Sequence, residues 1–119
     1  MASGVVVALA ACEQRAPVDA RYTEVSAGSA ARGRQLLEHY QCGSCHVIPE
    51  VRGAAGPTAP SLAGFGRRSY IAGELPNGPA TLTAWIESPQ ALLPGTTMPD
   101  MGASRADARD MAAYLLTLR

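Results

Sequence analysis

Two cysteines and a histidine stand at a spacing that suits covalent attachment of a haem. Residues 42–46 read Cys-Gly-Ser-Cys-His, which is the C-x-x-C-H pattern. In a helical or turn-like segment, positions i, i+3 and i+4 share one face. Cys42, Cys45 and His46 would then point the same way, so that both thiols could add to the vinyl groups of one haem edge while the imidazole reached the iron. The two small residues between the cysteines would let the porphyrin edge lie close to the backbone.

Three other kinds of site could use the same cysteines. A thioredoxin-like redox pair requires a βαβ setting, and no strand pattern precedes Cys42. A structural zinc site requires a second pair of ligands, which His39 and the distant Cys12 do not provide. A plain disulfide would leave His46 without a role. The haem interpretation is therefore favoured, and a thiol–disulfide protein without haem stays as an alternative.

A candidate second ligand of the haem iron lies in the segment 94–99, Pro-Gly-Thr-Thr-Met-Pro. The residue before a proline favours extended backbone, so Met98 is predicted to lie in a stiff, extended loop. A rigid loop lowers the entropy cost of holding a thioether, which is a weak and soft ligand. Met101 is the rival ligand, whereas Met111 lies inside a predicted helix. A methionine that only fills a gap in the core is the alternative role for Met98.

Two strong helices are predicted to position these residues. The first runs from Ser29, which can cap it, to Gln41, and leads directly into the motif. The second runs from Ser104 to Leu118 and begins with a capping-box-like pattern. Gly33 would allow another helix to cross the first one closely. The predicted buried face of the second helix comprises Met111, Tyr114, Leu115 and Leu118.

The segment between these helices is predicted to be irregular apart from one short turn and one helix. Many prolines and glycines follow His46 and break any long element, as expected for a chain that wraps a flat cofactor. Residues 70–75 are expected to make a short helical turn. A helix is predicted to start at residues 77–79, with proline in its first turn, and to end at Ser88-Pro89.

Four further residues have two candidate roles each. One of Arg67 and Arg68 is expected to neutralise a haem propionate, with two solvent-facing charges as the alternative. Trp85 is either plain core or a wall of the haem pocket. His39 is expected to be a solvated or capping histidine rather than a metal ligand.

Length and composition bound the class of protein. The chain has 119 residues, enough for one domain, and its 10 basic and 10 acidic residues give zero net charge. This balance argues against a nucleic-acid partner, which usually leaves a basic footprint. All the basic residues are arginine, so a docking surface made of lysines is excluded. With one Phe, one Trp and four Tyr, a chain of this size would gain core volume from a buried haem.

The N-terminal region is predicted to direct export and to anchor the protein. Residues 1–12 contain a short apolar run that ends in Leu-Ala-Ala-Cys, which resembles the lipobox of bacterial lipoproteins. Cys12 would then be acylated, although no basic residue precedes the apolar run. A free thiol in an ordinary tail is the alternative. Residues 13–28 are predicted to be a flexible tether, and residues 29–119 the folded domain.

From about residue 30 to the end, the sequence resembles class I c-type cytochromes, which carry one haem with His and Met ligands. The resemblance rests on the glycine-containing helix that leads into the C-x-x-C-H motif and on four later segments. These are Pro60–Gly64, Leu82–Pro89, Pro94–Pro99 and the terminal helix with Tyr114-Leu115. The resemblance implies an all-α cytochrome c fold wrapped around one covalent haem, with the N- and C-terminal helices crossed near Gly33 and Tyr114.

The same resemblance implies details of the haem site. The carbonyl of Pro60 would accept a hydrogen bond from Nδ1 of His46 and fix the imidazole, with Gly56-Pro57 as a second alignment for that position. Trp85 would lie in the pocket near Met98.

The function expected from these features is electron transfer. With His46 and Met98 both on the iron, the haem would have no open site and would cycle between Fe(III) and Fe(II). We expect a carrier and not an enzyme, lipid-anchored on the periplasmic side of a bacterial membrane. Its donor would be a quinol-oxidising complex or a dehydrogenase, and its acceptor a terminal oxidase or reductase. The alternative is a haem-based gas sensor or small haem enzyme in which Met98 dissociates.

Overall fold

The structure, a computed structural model, describes Met1 and residues 24–119. This part of the chain contains four α-helices, two short 3-10 turns and one small hairpin. The helices are α1 (Ala30–His39), α2 (Pro79–Glu87), α3 (Pro89–Leu92) and α4 (Arg105–Thr117). The predicted all-α cytochrome c fold, with N- and C-terminal helices packed together, is confirmed. Within residues 24–119, no helix is both long enough and apolar enough to cross a bilayer.

The two long helices begin at the predicted capping serines. The hydroxyl of Ser29 accepts from the amide of Arg32 at 3.2 Å, and that of Ser104 accepts from the amide of Asp107 at 3.1 Å. Each bond satisfies one of the free amides of a first helical turn. The first helix ends before Gln41, which has a positive φ of 55° and so turns the chain out of α1.

Gly33 lies where α1 crosses α4 with almost no space between the two backbones. A Cβ at this position would lie 1.9 Å from the carbonyl oxygen of Asp110. The predicted close crossing is therefore present, but Gly33 faces the backbone of Asp110, one turn before Tyr114. The hydroxyl of Tyr114 instead donates to the carbonyl of Pro49 at 2.6 Å, and so ties the segment after His46 to α4.

A cluster of polar side chains stabilises the crossing of α1 and α4 at its edge. Arg32 donates to the carboxylates of both Asp107, at 2.7 Å, and Asp110. Asp107 also accepts from the hydroxyl of Tyr40 at 2.7 Å, and Asp110 from the amide of Ser29 at 2.7 Å. The hydrogen bonds from Tyr40 and Arg32 lower the pKa of Asp107. Helix α4 thus presents two carboxylates to the start and end of α1.

The segment 70–75 differs from the prediction of a helical turn. Tyr70–Ile71 (β1) and Leu75–Pro76 (β2) form an antiparallel hairpin in which Ile71 pairs with Leu75. Residues 72–74 connect the strands. Within this connection, Ala72 and Gly73 have φ values of 51° and 74°, a left-handed conformation that ends a right-handed helical turn. The helical prediction was wrong because Ala72 and Gly73 both have a positive φ, which a right-handed helical turn does not allow.

The second helix begins and ends where the sequence predicted. Pro79 occupies its first position, and Ser88 leaves the helical conformation just before Pro89. A further short helix, α3, then starts at Pro89 itself, which the sequence analysis did not predict. Pro89 is fully buried, so it anchors α3 to the core.

The hydrophobic core lies between α1, α2 and α4. Helix α4 contributes more buried hydrophobic residues than any other element. Leu118, predicted to be buried, is only half-buried, whereas Leu116 is fully buried. Val25 is also buried, next to Gly28 and Ala113. The packed domain therefore begins before residue 29, within the segment assigned to the tether.

Candidate haem-binding site

The C-x-x-C-H motif forms a tight turn immediately after α1. Cys42–Ser44 is a single 3-10 turn, and the amides of Cys45 and His46 both donate to the carbonyl of Cys42, at 3.3 and 3.0 Å. Cys42 and His46 are half-buried, and Cys45 is exposed. Burial raises the pKa of the Cys42 thiol to about 11, so this thiol faces an apolar environment.

The loop after the motif folds back over it at two glycines. A Cβ on Gly43 would lie 2.4 Å from the Cα of Ala54, and one on Gly56 would lie 2.3 Å from the carbonyl oxygen of Ser44. The amide of Gly56 donates to the carbonyl of Gly43 at 3.0 Å, and that of Ala59 to Cys45 at 3.0 Å. Gly43 must therefore be small because the chain's own loop packs against it.

The imidazole of His46 is held by the backbone of Pro60. Its Nδ1 lies 2.7 Å from the Pro60 carbonyl oxygen. Because a carbonyl only accepts, Nδ1 must carry the proton, which leaves the lone pair of Nε2 available to a metal. The amide of Leu62 donates to the carbonyl of Val47 at 2.8 Å, so the backbone on both sides of this contact is fixed.

One apolar cavity brings four of the predicted site residues together. Cys42, His46, Trp85 and Met98 all line it, whereas Cys45 and Pro60 do not. Trp85 is buried and Met98 is half-buried. The other lining residues are Leu37, Leu62, Phe65, Leu82, Ile86 and Leu115. Trp85 is therefore a core residue that also lines the cavity, and its role towards a haem stays a prediction.

The donor set and the walls of this cavity fit a haem. A flat, apolar macrocycle needs apolar walls, one or two iron ligands and a rigid edge for attachment, and the cavity offers all three kinds of group. Within residues 24–119, no group of three or more His, Cys, Asp and Glu side chains is placed to hold a metal ion by itself. These residues also contain only the two-stranded hairpin, not the βαβ unit that a thioredoxin-like pair requires.

The remaining candidate residues lie outside the cavity. Arg68 donates to the carbonyl of Ser61, and its guanidinium lies 5.5 Å from the centre of the Phe65 ring. Arg67 is exposed. Of the other methionines, Met101 is 40% exposed and Met111 is buried in α4. His39 is exposed at the end of α1.

The loop that carries Met98 is held by hydrogen bonds from a side chain, Gln90, that the sequence analysis missed. The side-chain amide of Gln90 accepts from the amide of Gly95 at 3.1 Å and donates to the carbonyls of Thr96 and Met98, at 2.5 and 3.3 Å. The sequence signal that could have pointed to Gln90 is Ser88-Pro89. This pair marks the end of α2, but it also suits the start of a new helix, which would carry Gln90 in its first turn.

Comparison with known proteins decides the family. A profile of the cytochrome c family matches residues 30–119. The chain belongs to the cytochrome c family. Cytochrome c domains hold a covalently bound haem c and transfer electrons, which agrees with the C-x-x-C-H turn beside an apolar cavity.

The chain resembles both relatives that are much longer than itself and a relative of similar length. Cytochrome c oxidase subunit 2 of Alkalihalophilus pseudofirmus is 41% identical over 93 residues, and that of Bacillus subtilis is 32% identical over 87 residues. These stretches are 76% and 71% of this chain, but the chain spans only 26% and 24% of the two relatives. Cytochrome c-552 of Bradyrhizobium diazoefficiens is 32% identical over 93 residues, which is 78% of each chain.

Proposed function

We propose that the chain is a one-electron carrier whose haem c would be bonded to Cys42 and Cys45, with His46 and Met98 as the residues that would bind its iron. The observation that carries this proposal is that His46 and Met98, from distant parts of the sequence, line the same apolar cavity as Cys42. Met101 and Met111 do not line it. The choice of His46 and Met98 as iron ligands therefore rests on their position in the structure as well as on the sequence motif.

Each residue has a defined task in this arrangement. His46 keeps its proton on Nδ1 through Pro60 and offers Nε2 to the iron. Met98 offers a thioether, which favours the reduced iron and raises the potential. The apolar walls, including Leu82 and Trp85, exclude water and act in the same direction. When bound, the haem supplies one-electron Fe(III)/Fe(II) cycling.

A respiratory electron-transfer chain is the proposed setting. Two relatives are named as cytochrome c oxidase subunits, which supports a terminal oxidase as acceptor over a reductase. The donor would be a quinol-oxidising complex or a dehydrogenase. With no lysine in the sequence, docking would depend on arginines, acidic groups and apolar contacts.

A lipid anchor on the periplasmic side of the membrane is the proposed localisation. Residues 2–12, which include Cys12, lie outside the described residues, as does most of the proposed tether, so this part rests on the lipobox-like sequence. Cys12→Ser should move the protein from the membrane to the soluble periplasmic fraction. An unchanged distribution would contradict acylation of Cys12.

The ligand set is tested by the absorption spectrum of the oxidised protein. The wild type should show the far-red charge-transfer band of methionine–iron ligation. Met98→Ala should lose this band, whereas Met101→Ala should keep it. Rapid binding of carbon monoxide by the reduced wild type at neutral pH would instead support the gas sensor or haem enzyme, because it requires an open iron site.

A further inference from the structure

The segment that carries Met98 depends on few hydrogen bonds of its own. Residues 93–96 form a β-turn in which the amide of Thr96 donates to the carbonyl of Leu93 at 3.0 Å. Pro94 and Gly95, the latter with a φ of 88°, occupy the positions that a type II turn requires. In the described structure, this is the one backbone–backbone hydrogen bond that has both its groups within residues 93–99.

Gln90 supplies the missing contacts from outside the loop. Its amide group bonds to three backbone groups, which belong to Gly95, Thr96 and Met98. One side chain thus spans both the turn and the methionine that follows it. Gln90 lies on α3, directly after the fully buried Pro89, so its own backbone is fixed by the core.

We infer that Gln90 is a positioning residue that holds the loop 93–98 in the conformation that presents the Met98 thioether to the cavity. This inference rests on the proposed role of Met98 as a ligand. A thioether binds weakly, so the fraction of time it spends on the iron depends on how strongly the loop prefers the closed conformation. The three bonds from Gln90 stabilise that conformation, because an open loop would exchange them for bonds to water.

The first test measures how readily cyanide replaces Met98 in the oxidised holoprotein. Cyanide requires the open loop, so its apparent affinity reports the open fraction. For Gln90→Leu we expect an affinity about tenfold higher than in the wild type, which is the effect of losing about one net hydrogen bond. The far-red band should weaken in parallel.

The matched variant is Gln90→Glu, which preserves shape but removes the donor. An ionised carboxylate only accepts hydrogen bonds. It would therefore face the carbonyls of Thr96 and Met98 without a donor for either. Gln90→Glu should therefore raise cyanide affinity at least as much as Gln90→Leu. If Gln90 only filled space, Gln90→Glu would behave like the wild type. Gln35→Glu, on the exposed side of α1, makes the same chemical change elsewhere and should have no effect.

Amide hydrogen exchange gives a readout that does not depend on the iron. The amide of Gly95 donates to Gln90, so its exchange should become at least several-fold faster in Gln90→Leu. The amide of Thr96 donates to the carbonyl of Leu93 and not to Gln90, so its exchange reports separately on the β-turn.

The outcomes separate this inference from the proposed function. If Met98→Ala keeps the far-red band, Met98 is not the ligand and both proposals fail. If Met98→Ala loses the band while both Gln90 variants bind cyanide like the wild type, only the role of Gln90 is overturned. Loss of the band in Met98→Ala, together with tighter cyanide binding in both Gln90 variants and faster Gly95 exchange, supports both.

Discussion

The crossing of α1 and α4 should be unusually intolerant of a single methyl group at Gly33. Gly33→Ala would place a Cβ 1.9 Å from the carbonyl oxygen of Asp110. That oxygen belongs to the backbone of α4, so no side-chain rotation can relieve the overlap. The helices would have to separate, and with them Leu37 and Leu115, which line the cavity from α1 and α4.

Two opposing terms set the size of the effect. Replacing glycine by alanine inside a helix stabilises that helix by about 1 kcal/mol. Overpacking a well-packed contact costs about 1–3 kcal/mol, and occasionally more. A backbone overlap this severe belongs at or above the upper end of that range, so we expect a net loss of about 2 kcal/mol in the free energy of unfolding. For a domain of this size, this corresponds to a decrease in Tm of about 8–16 °C.

Thermal and denaturant unfolding of the holoprotein would measure this loss. The control is the exposed position Gln35 in the same helix, where Gln35→Ala should be more stable than Gln35→Gly by about 1 kcal/mol. Alanine should therefore be favoured over glycine at residue 35 and disfavoured at residue 33. A Gly33→Ala protein as stable as the wild type would refute the close crossing.

Two further predictions concern contacts of α4. Asp107→Asn should lower stability by no more than about 1 kcal/mol at neutral pH, because the ion pair is partly exposed. Because hydrogen bonds from Tyr40 and Arg32 lower the pKa of Asp107 in the folded state, its contribution is present above its unfolded pKa and is lost as the pH falls through the folded value. Wild type and variant should therefore converge in acid, and a constant difference from neutral pH into acid would contradict this role. Tyr114→Phe should cost about 1–2 kcal/mol in denaturant unfolding, because it leaves the carbonyl of Pro49 without its donor; Tyr70→Phe, at an exposed tyrosine, should cost nothing measurable.

The sequence predicted those parts of the fold that local signals specify. Ser29 and Ser104 mark the starts of α1 and α4 because a capping hydroxyl acts within its own first turn. Pro79 marks the start of α2 because proline fixes the backbone at that position. The C-x-x-C-H motif predicted the attachment site for the same reason, since its chemistry is contained in five consecutive residues.

The parts that were missed depend on contacts between distant residues or on an unusual conformation. Ala72 adopts a positive φ without being glycine, and this turned a predicted helical segment into a hairpin. The burial of Val25 depends on α4, which lies at the other end of the chain. Gln90 has no local signature beyond the helix start that Ser88-Pro89 allows, because its contacts form only when the loop 93–98 folds back over α3.

Retention of haem by the unfolded chain tests the central claim most directly. The protein would be made in a host that matures c-type haem and then unfolded and extracted with acidified organic solvent. Trypsin cleaves after Arg34 and Arg52, so the peptide 35–52 contains both cysteines of the motif. The account predicts that this peptide carries the additional mass of one haem, and that Cys42→Ala combined with Cys45→Ala abolishes the addition. A wild-type peptide with the mass of the polypeptide alone would contradict the account.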